Sequence, residues 1–260
     1  MRRWLPPVAR LGFAARGAVY LVVGFRAVRA ATGWGHRPTD PQGALRTVAR
    51  QDFGDVMLAA LAVGLLAYAT WRFAQAVWDL DRKGQTLKGL ATRAFYLVSG
   101  ALHVGLASTA AGILLGRSVR GRSLRDWVAS VLSEPLGEWV VALAGAITLG
   151  VAAWQLSKAY RGKASSHLDL SRAGALTTRW VPRFERFGVA ARGVTFGIMG
   201  WFLLMAAWWH SAREAKGLAD ALRNLRGQPY GPWMLGAVGL GLAAYGIHET
   251  LCARYRRIVA

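Results

Sequence analysis

Long runs without a charged side chain recur along this chain and constrain it more than any other feature. Residues 94–116, 139–157, 193–209 and 232–248 hold no Asp, Glu, Lys or Arg, and residues 56–78 hold only Arg72. A helix needs about 20 apolar residues to cross a hydrocarbon layer about 30 Å thick, because it rises about 1.5 Å per residue. Each run is therefore a candidate transmembrane helix. A sixth, residues 13–31, is the weakest, because it carries Arg16, Arg26 and Arg29. Arg2 and Arg3 look like the start of a signal peptide, but Arg16 interrupts the stretch that follows, so a retained first helix is expected.

Composition removes the competing classes. The chain has 33 Lys+Arg against 13 Asp+Glu, yet 54% of its residues are apolar and 12 are Trp. A disordered polycation has few aromatics, and a soluble nucleic-acid module rarely carries such apolar runs, so nucleic acid is not an expected partner. One Cys excludes a disulfide scaffold and a Cys-rich metal site.

Aromatic and basic residues orient the spans. Trp34, Trp127, Trp139, Trp208, Trp209 and Trp233 fall near one set of helix ends, and Trp78, Tyr160 and Tyr255 near the other, as expected of headgroup-layer side chains. With six spans, segments 1–16, 79–93, 158–192 and 252–260 share one side and hold 19 Lys+Arg. The segments on the other side hold 12, and acids run the opposite way, 4 against 8. The positive-inside rule then puts both termini in the cytoplasm. The basic loop 158–192 is expected to meet anionic lipid headgroups.

The chain also repeats itself. RLGFAARGAVYLVVG at 10–24 returns as RFGVAARGVTFGIMG at 186–200, and ALRTVARQDFG at 44–54 returns as ALRNLRGQPYG at 221–231. Both pairs are offset by 176 or 177 residues, so a whole unit is duplicated. TRAFYLVSG at 92–100 and SVLSEPLG at 130–137 are fainter middle copies, in which Tyr96 aligns with Tyr20 and Phe196 and Arg93 falls one position from Arg16 and Arg192. Each unit is helix, short amphipathic segment ending in Phe/Leu/Tyr-Gly, helix. The expected fold is one all-α membrane domain over 1–260, with repeats at 10–80, 88–162 and 183–257. Its six transmembrane helices form three parallel hairpins around a pseudo-threefold axis, with short interfacial helices on the outer side.

In these phrases the chain resembles a bacterial membrane family known as domain of unknown function 1206, built from three two-helix repeats that open with R-x-G-(F/Y)-A-A-R-G. The resemblance covers residue 10 to about 257, implies that fold, and brings no activity and no functional residues.

Several repeated residues have a physical role to fill. Gly17, Gly24, Gly100, Gly193, Gly197 and Gly200 leave a smooth strip suited to close helix packing, and Gly112 and Gly116 form a second small-xxx-small pair. Arg16 and Arg192 are expected either to snorkel to phosphate headgroups or to pair with the adjacent repeat. Nineteen residues after Phe53, Leu136 and Tyr230 come Arg72, Gln155 and Glu249, polar side chains at one register of three equivalent helices. Facing the axis, Arg72 and Glu249 would form an ion pair bridged by Gln155; facing out, they would reach water. His103, mid-span, is expected to bond a neighbouring backbone or hydroxyl group rather than a proton path or metal. His103 and His248 lie at different depths, which argues against a haem.

Motifs for zinc proteases, dithiols, nucleotide loops and serine hydrolases are missing. Asp79 and Asp81 are expected to be solvated beside Arg82 and Lys83, and Ser165, Ser166 and His167 lack a placed carboxylate. No cofactor or metal is expected. Three functions compete. A permeation or transport protein would use a central cavity, in architectural analogy to the mitochondrial carriers, whose signature is absent. A non-transporting scaffold or lipid-organising protein would need only the glycine strips and basic loop. An intramembrane enzyme has the least support. Protein partners and homo-oligomerisation are left open by the sequence.

Overall fold

The computed structural model describes residues 4–33, 37–117, 123–161 and 175–256. Trp34, much of the basic loop 158–192, and Ser165, Ser166 and His167 lie outside the described residues. Among the described residues the regular structure is helical: α1 (Leu5–Ala31), α2 (Pro41–Ala49), α3 (Gly54–Val77), α4 (Leu87–Leu114), α5 (Leu124–Leu132), α6 (Gly137–Arg161), α7 (Ala175–Trp208), α8 (Leu218–Arg226) and α9 (Gly231–Tyr255). Helices α1, α3, α4, α6 and α7 are long and apolar enough to cross a membrane. The expected weak span, α1, is among them. Helix α9 is as long as α6, 25 residues, but carries His248 and Glu249 in its second half and is not one of the five.

The short helices α2, α5 and α8 are nine residues each. Side-chain caps start two of them: Asp40 accepts from Gly43 N–H, and Ser123 forms a capping box with Asp126. Apolar residues face inward, Ala44, Leu45 and Val48 in α2 and Ala221, Leu222 and Leu225 in α8. All three short helices end in the same turn. Phe53, Leu136 and Tyr230 are left-handed at φ 59°, 63° and 60°, and the glycine after each opens the next long helix. The glycine is required by space: a Cβ on Gly54 or Gly231 would stand within 2.8 Å of backbone carbonyls of the preceding short helix.

Packing follows the repeat. The most extensive contacts join the second long helix of one unit to the first of the next: α3 to α4, α6 to α7, and α9 back to α1. The same position opens each seam. A Cβ on Gly17 would stand 2.8 Å from the Gly246 carbonyl oxygen, one on Gly100 would stand 2.7 Å from the Phe73 ring, and one on Gly193 would stand 2.8 Å from Leu156. Gly24 and Gly200 repeat this two turns on, against Gly239 and against Leu149 and Gly145. Small residues here admit close helix approach where lipid offers no hydrophobic drive. Gly116 does not belong to this set: it is left-handed at φ 64°, ends α4 and faces open space.

Those seams correct the alignment of the middle unit. Gly100 is equivalent to Gly17 and Gly193, seven residues away from the register suggested by Gly24. Arg93 is accordingly the counterpart of Arg186. Arg93 Nε donates to the Ala76 carbonyl at 2.7 Å, as Arg186 Nε donates to that of Ala159 at 3.0 Å. A slip of seven residues keeps a helix face nearly unchanged, which is why the sequence alone allowed it.

Within units, α1 packs on α3 and α7 on α9, whereas α4 and α6 make at most a marginal contact. Side-chain size explains this. Gly12 and Gly188 let their helices meet the backbones of Tyr68 and Tyr245, where an added Cβ would fall 2.6 Å away. The middle unit has Phe95 at that position, exposed at 46%. It also has Val98 and Ile147 where the outer units have Ala15 with Gly64 and Ala191 with Gly241. Helices α4 and α6 are consequently the least buried of the candidate spans, at 28% and 22%.

Candidate functional site: a buried arginine, tyrosine and glutamate layer

Two apolar clusters bracket a polar layer. Toward the short helices lie Val19, Val23, Leu58, Leu61, Leu65, Leu235 and Leu242. Toward the termini lie Leu5, Phe13, Trp71, Val181 and Cys252. Between them α1 contributes Arg16 and Tyr20, α3 contributes Tyr68 and Arg72, α7 contributes Arg192, and α9 contributes Tyr245 and Glu249.

Arg16 is the hub. Its Nη1 donates to Glu249 Oε2 at 3.0 Å and to the Tyr68 hydroxyl at 2.7 Å. Arg16 is 7% exposed and Glu249 4%, so this is a buried ion pair across the α9–α1 seam. Of the two expectations for Arg16, pairing with the adjacent repeat is the one formed. The guanidinium also lies 5.5, 4.9 and 5.4 Å from the ring centres of Tyr20, Tyr68 and Tyr245, where the aromatic quadrupole favours a cation.

Arg72 does not pair with Glu249. It donates to the Tyr68 hydroxyl through Nε, at 2.8 Å, and through Nη2, and to Gln75 Oε1 at 3.0 Å. The link from Arg72 to Glu249 therefore runs through Tyr68 and Arg16, and Gln155 does not bridge it. Gln75 continues to Asp81 at 3.0 Å, and Tyr96 donates to the same carboxylate oxygen at 2.6 Å.

Arg192 is the counterpart of Arg16 in the third unit. Its Nη1 donates to the Tyr245 hydroxyl at 2.7 Å, as Arg16 does to Tyr68. It shares ring faces with Arg16, lying 4.5 Å from Tyr245 and 5.6 Å from Tyr20. Gln155 is 3% exposed on α6, and its amide nitrogen has no hydrogen-bond partner among the described residues. The same holds for Nε of Arg16 and of Arg192.

His103 Nδ1–H donates to the Ser99 carbonyl at 2.7 Å, and its ring lies 4.4 Å from that of Tyr68. His248 meets Cys252 Sγ at 3.3 Å. No cluster of three or more metal-ligating side chains occurs among the described residues. Outside the spans, Asp79 and Asp81 are not simply solvated beside Arg82 and Lys83. Asp79 accepts from the backbone N–H of Lys83 and of Gly84, each at 2.7 Å, and these bonds hold its carboxyl below the usual range. Burial pushes Asp81 up, but the Tyr96 hydroxyl bond, the Arg256 charge and the Gln75 amide together keep it below its ordinary value.

Sequence reasoning named Arg16, Arg72, Arg192, Gln155 and Glu249 but missed Tyr20, Tyr68 and Tyr245. Tyr68 and Tyr245 each stand four residues before a triad member, on the same helix face, and that spacing was the available signal.

Long apolar helices around a buried charged layer define an all-helical membrane protein. The chain belongs to the family described as Domain of Unknown Function (DUF1206), which matches it three times, at residues 11–79, 94–162 and 187–256. These matches keep the offsets set by the seams, with Arg10, Arg93 and Arg186 just before each. The Bacillus subtilis protein named uncharacterized protein YxxB is 30% identical over 255 residues, covering 98% of this chain and 92% of that protein. No solved structure matches the chain.

Proposed function

We propose that the protein is a six-span bacterial inner-membrane protein, α9 being the sixth span, with both termini cytoplasmic. Its units, at 10–80, 88–162 and 183–257, are arranged about a pseudo-threefold axis, and its polar layer serves permeation or transport of a small solute or ion. The cyclic order of the seams supports the symmetry, and the alternation of long and short helices supports the topology. Short helices α2, α5 and α8 then lie at the outer surface. Arg16 sits 15 residues before the end of α1, roughly 22 Å below that surface at about 1.5 Å per residue.

The observation that carries the reading is the excess of cation in this layer: Arg16, Arg72 and Arg192 against Glu249. Charges within spans are costly, and an ionisable side chain there points by default to a functional site such as a solute or ion path. The apolar layer of Val23, Leu58, Leu65 and Leu235 closes the outer side, so permeation needs that layer to part. The same closed layer favours a second reading, a non-transporting scaffold or lipid-organising protein that meets anionic headgroups on its cytoplasmic side.

Liposomes loaded with chloride-, potassium- and proton-sensitive dyes separate the two. The transport reading expects flux above protein-free liposomes, changed at least about tenfold by Glu249→Gln, since loss of the carboxylate removes a charge-assisted bond. Flux equal to protein-free liposomes removes transport and leaves the scaffold.

A further inference from the structure

We propose that Arg192 and Gln155 form a binding site for a small oxyanion, a phosphate or carboxylate group. The assignment deepens the reading of the polar layer as a ligand-handling site. It starts from a comparison of two seams. At the α9–α1 seam, Gly17 faces Gly246 and Thr250, and the neighbouring Arg16 meets Glu249. At the α6–α7 seam, Gly193 faces Ala152 and Leu156, the equivalent residues 94 positions earlier. The equivalent of Arg16 there is Arg192, and the equivalent of Glu249 is Gln155. At this register one seam therefore carries a carboxylate and the other a neutral amide; the buried carboxylate of the second seam, Glu185, lies seven residues before Arg192 and pairs with Lys158 at 3.2 Å.

The consequence is a surplus of donors. Among the described residues the Arg192 side chain donates to a neutral phenol, that of Tyr245, through Nη1, and its Nε has no partner. The amide nitrogen of Gln155, a residue 3% exposed, has none either. A guanidinium fork and an amide N–H on the two helices of one seam supply the donors that a planar or tetrahedral oxyanion accepts. Arg16, sharing the Tyr20 and Tyr245 faces, adds a second positive field, and Glu249 balances only one of the two charges. Arg192 is half-buried; a cation held there without a carboxylate is costly, and an anion from outside the chain offsets that cost as Glu249 does for Arg16. Gln155 lies on α6, which packs on α7 but at most marginally on α4; a lipid phosphate entering sideways and a free anion entering from the cytoplasm present the same chemistry.

The test uses the full chain in phosphatidylcholine nanodiscs, titrated calorimetrically with inorganic phosphate, and in discs that also contain phosphatidylglycerol, with retained lipid read by mass spectrometry. The expected result is saturable phosphate binding, or selective retention of phosphatidylglycerol, that weakens at least about tenfold in Arg192→Gln, the loss of a charge-assisted bond. Gln155→Glu gives Arg192 an internal carboxylate. It is expected to abolish the same binding while unfolding no earlier than wild type, so the loss is not one of folding. Phosphate binding assigns a free anion, and retained phosphatidylglycerol alone assigns a lipid headgroup. Neither binding, or binding untouched by Gln155→Glu, overturns the site. Because no flux is measured, a negative result here leaves the transport reading standing, and absent flux with intact binding removes only transport.

Discussion

The Glu249 carboxylate on α9 accepts from the Arg16 guanidinium on α1 at 3.0 Å, joining residues 233 positions apart and closing the last unit on the first. Both side chains are buried, so neither charge has water to fall back on. Breaking such a pair from one side leaves a bare charge and costs about 3–5 kcal/mol, whereas replacing both members with apolar residues is often neutral. Glu249→Gln and Arg16→Met are each expected to lower the unfolding temperature sharply, and Arg16→Met with Glu249→Leu to recover much of it. Thermal unfolding in detergent by Trp fluorescence reads the cycle; additive single losses would mean the pair does not act as a unit.

The two outer units and the middle one should respond oppositely to added bulk. Gly12→Leu and Gly188→Leu drive a side chain into the backbones of Tyr68 and Tyr245. Overpacking of this kind costs about 1–3 kcal/mol or more. Gly105 and Gly150, in the splayed α4 and α6, have open space at their Cβ positions. Gly105→Ala and Gly150→Ala are expected to be neutral or stabilising, because Ala is the better helix former by about 1 kcal/mol. Equal losses at all four sites, measured by unfolding temperature, would show that α4 and α6 pack together after all.

The long helices and the repeat were legible because both are periodic. Charge-free runs set the spans, and paired phrases at one offset set the units. The middle unit was not legible in detail. With Phe95 and Val98 standing where glycine and alanine occur elsewhere, its phrase lost the small residues that mark the register, and a shift of two helical turns fitted as well. The polar layer was half legible. Ungapped alignment found Arg72, Gln155 and Glu249 at one level, but which cation meets Glu249 depends on which helices share a seam. That is decided by Gly17 against Gly246, a contact between chain ends that no local pattern encodes. α9 shows the converse: apolar at its start, it carries the buried His248 and Glu249 that lower its hydropathy, and Glu249 belongs to the site.

Acid should weaken the α3–α4 turn first. Asp79 and Asp81 both titrate below their ordinary range, about pH 3.9, so the folded state holds their protons less tightly than the unfolded one. Their contribution is full above that ordinary value and is lost as the pH falls through the lowered ones. Unfolding temperature followed downward from pH 7 should therefore drop below about pH 4 in wild type. Asp79→Asn with Asp81→Asn should start lower at pH 7 and show a flatter acid limb. An acid limb as steep as wild type would place the responsible carboxylates elsewhere.

The three left-handed residues before α3, α6 and α9 give a prediction that separates backbone strain from side-chain contact. Phe53, Leu136 and Tyr230 are 84%, 68% and 81% exposed, so their side chains contribute little packing within the chain. A left-handed conformation costs an L-residue about 1–2 kcal/mol, and glycine escapes that cost. In detergent, Leu136→Gly is expected to raise the unfolding temperature, and Leu136→Ile to lower it, because a β-branched side chain tolerates this region least. In a bilayer, the large apolar groups at this register sit where the short helices meet the long ones, a place suited to the headgroup boundary. Tyr230→Gly should then gain stability in detergent but lose part of that gain in lipid nanodiscs. An equal gain in both media would show that the side chain has no role at the membrane surface and that the strain serves the turn alone.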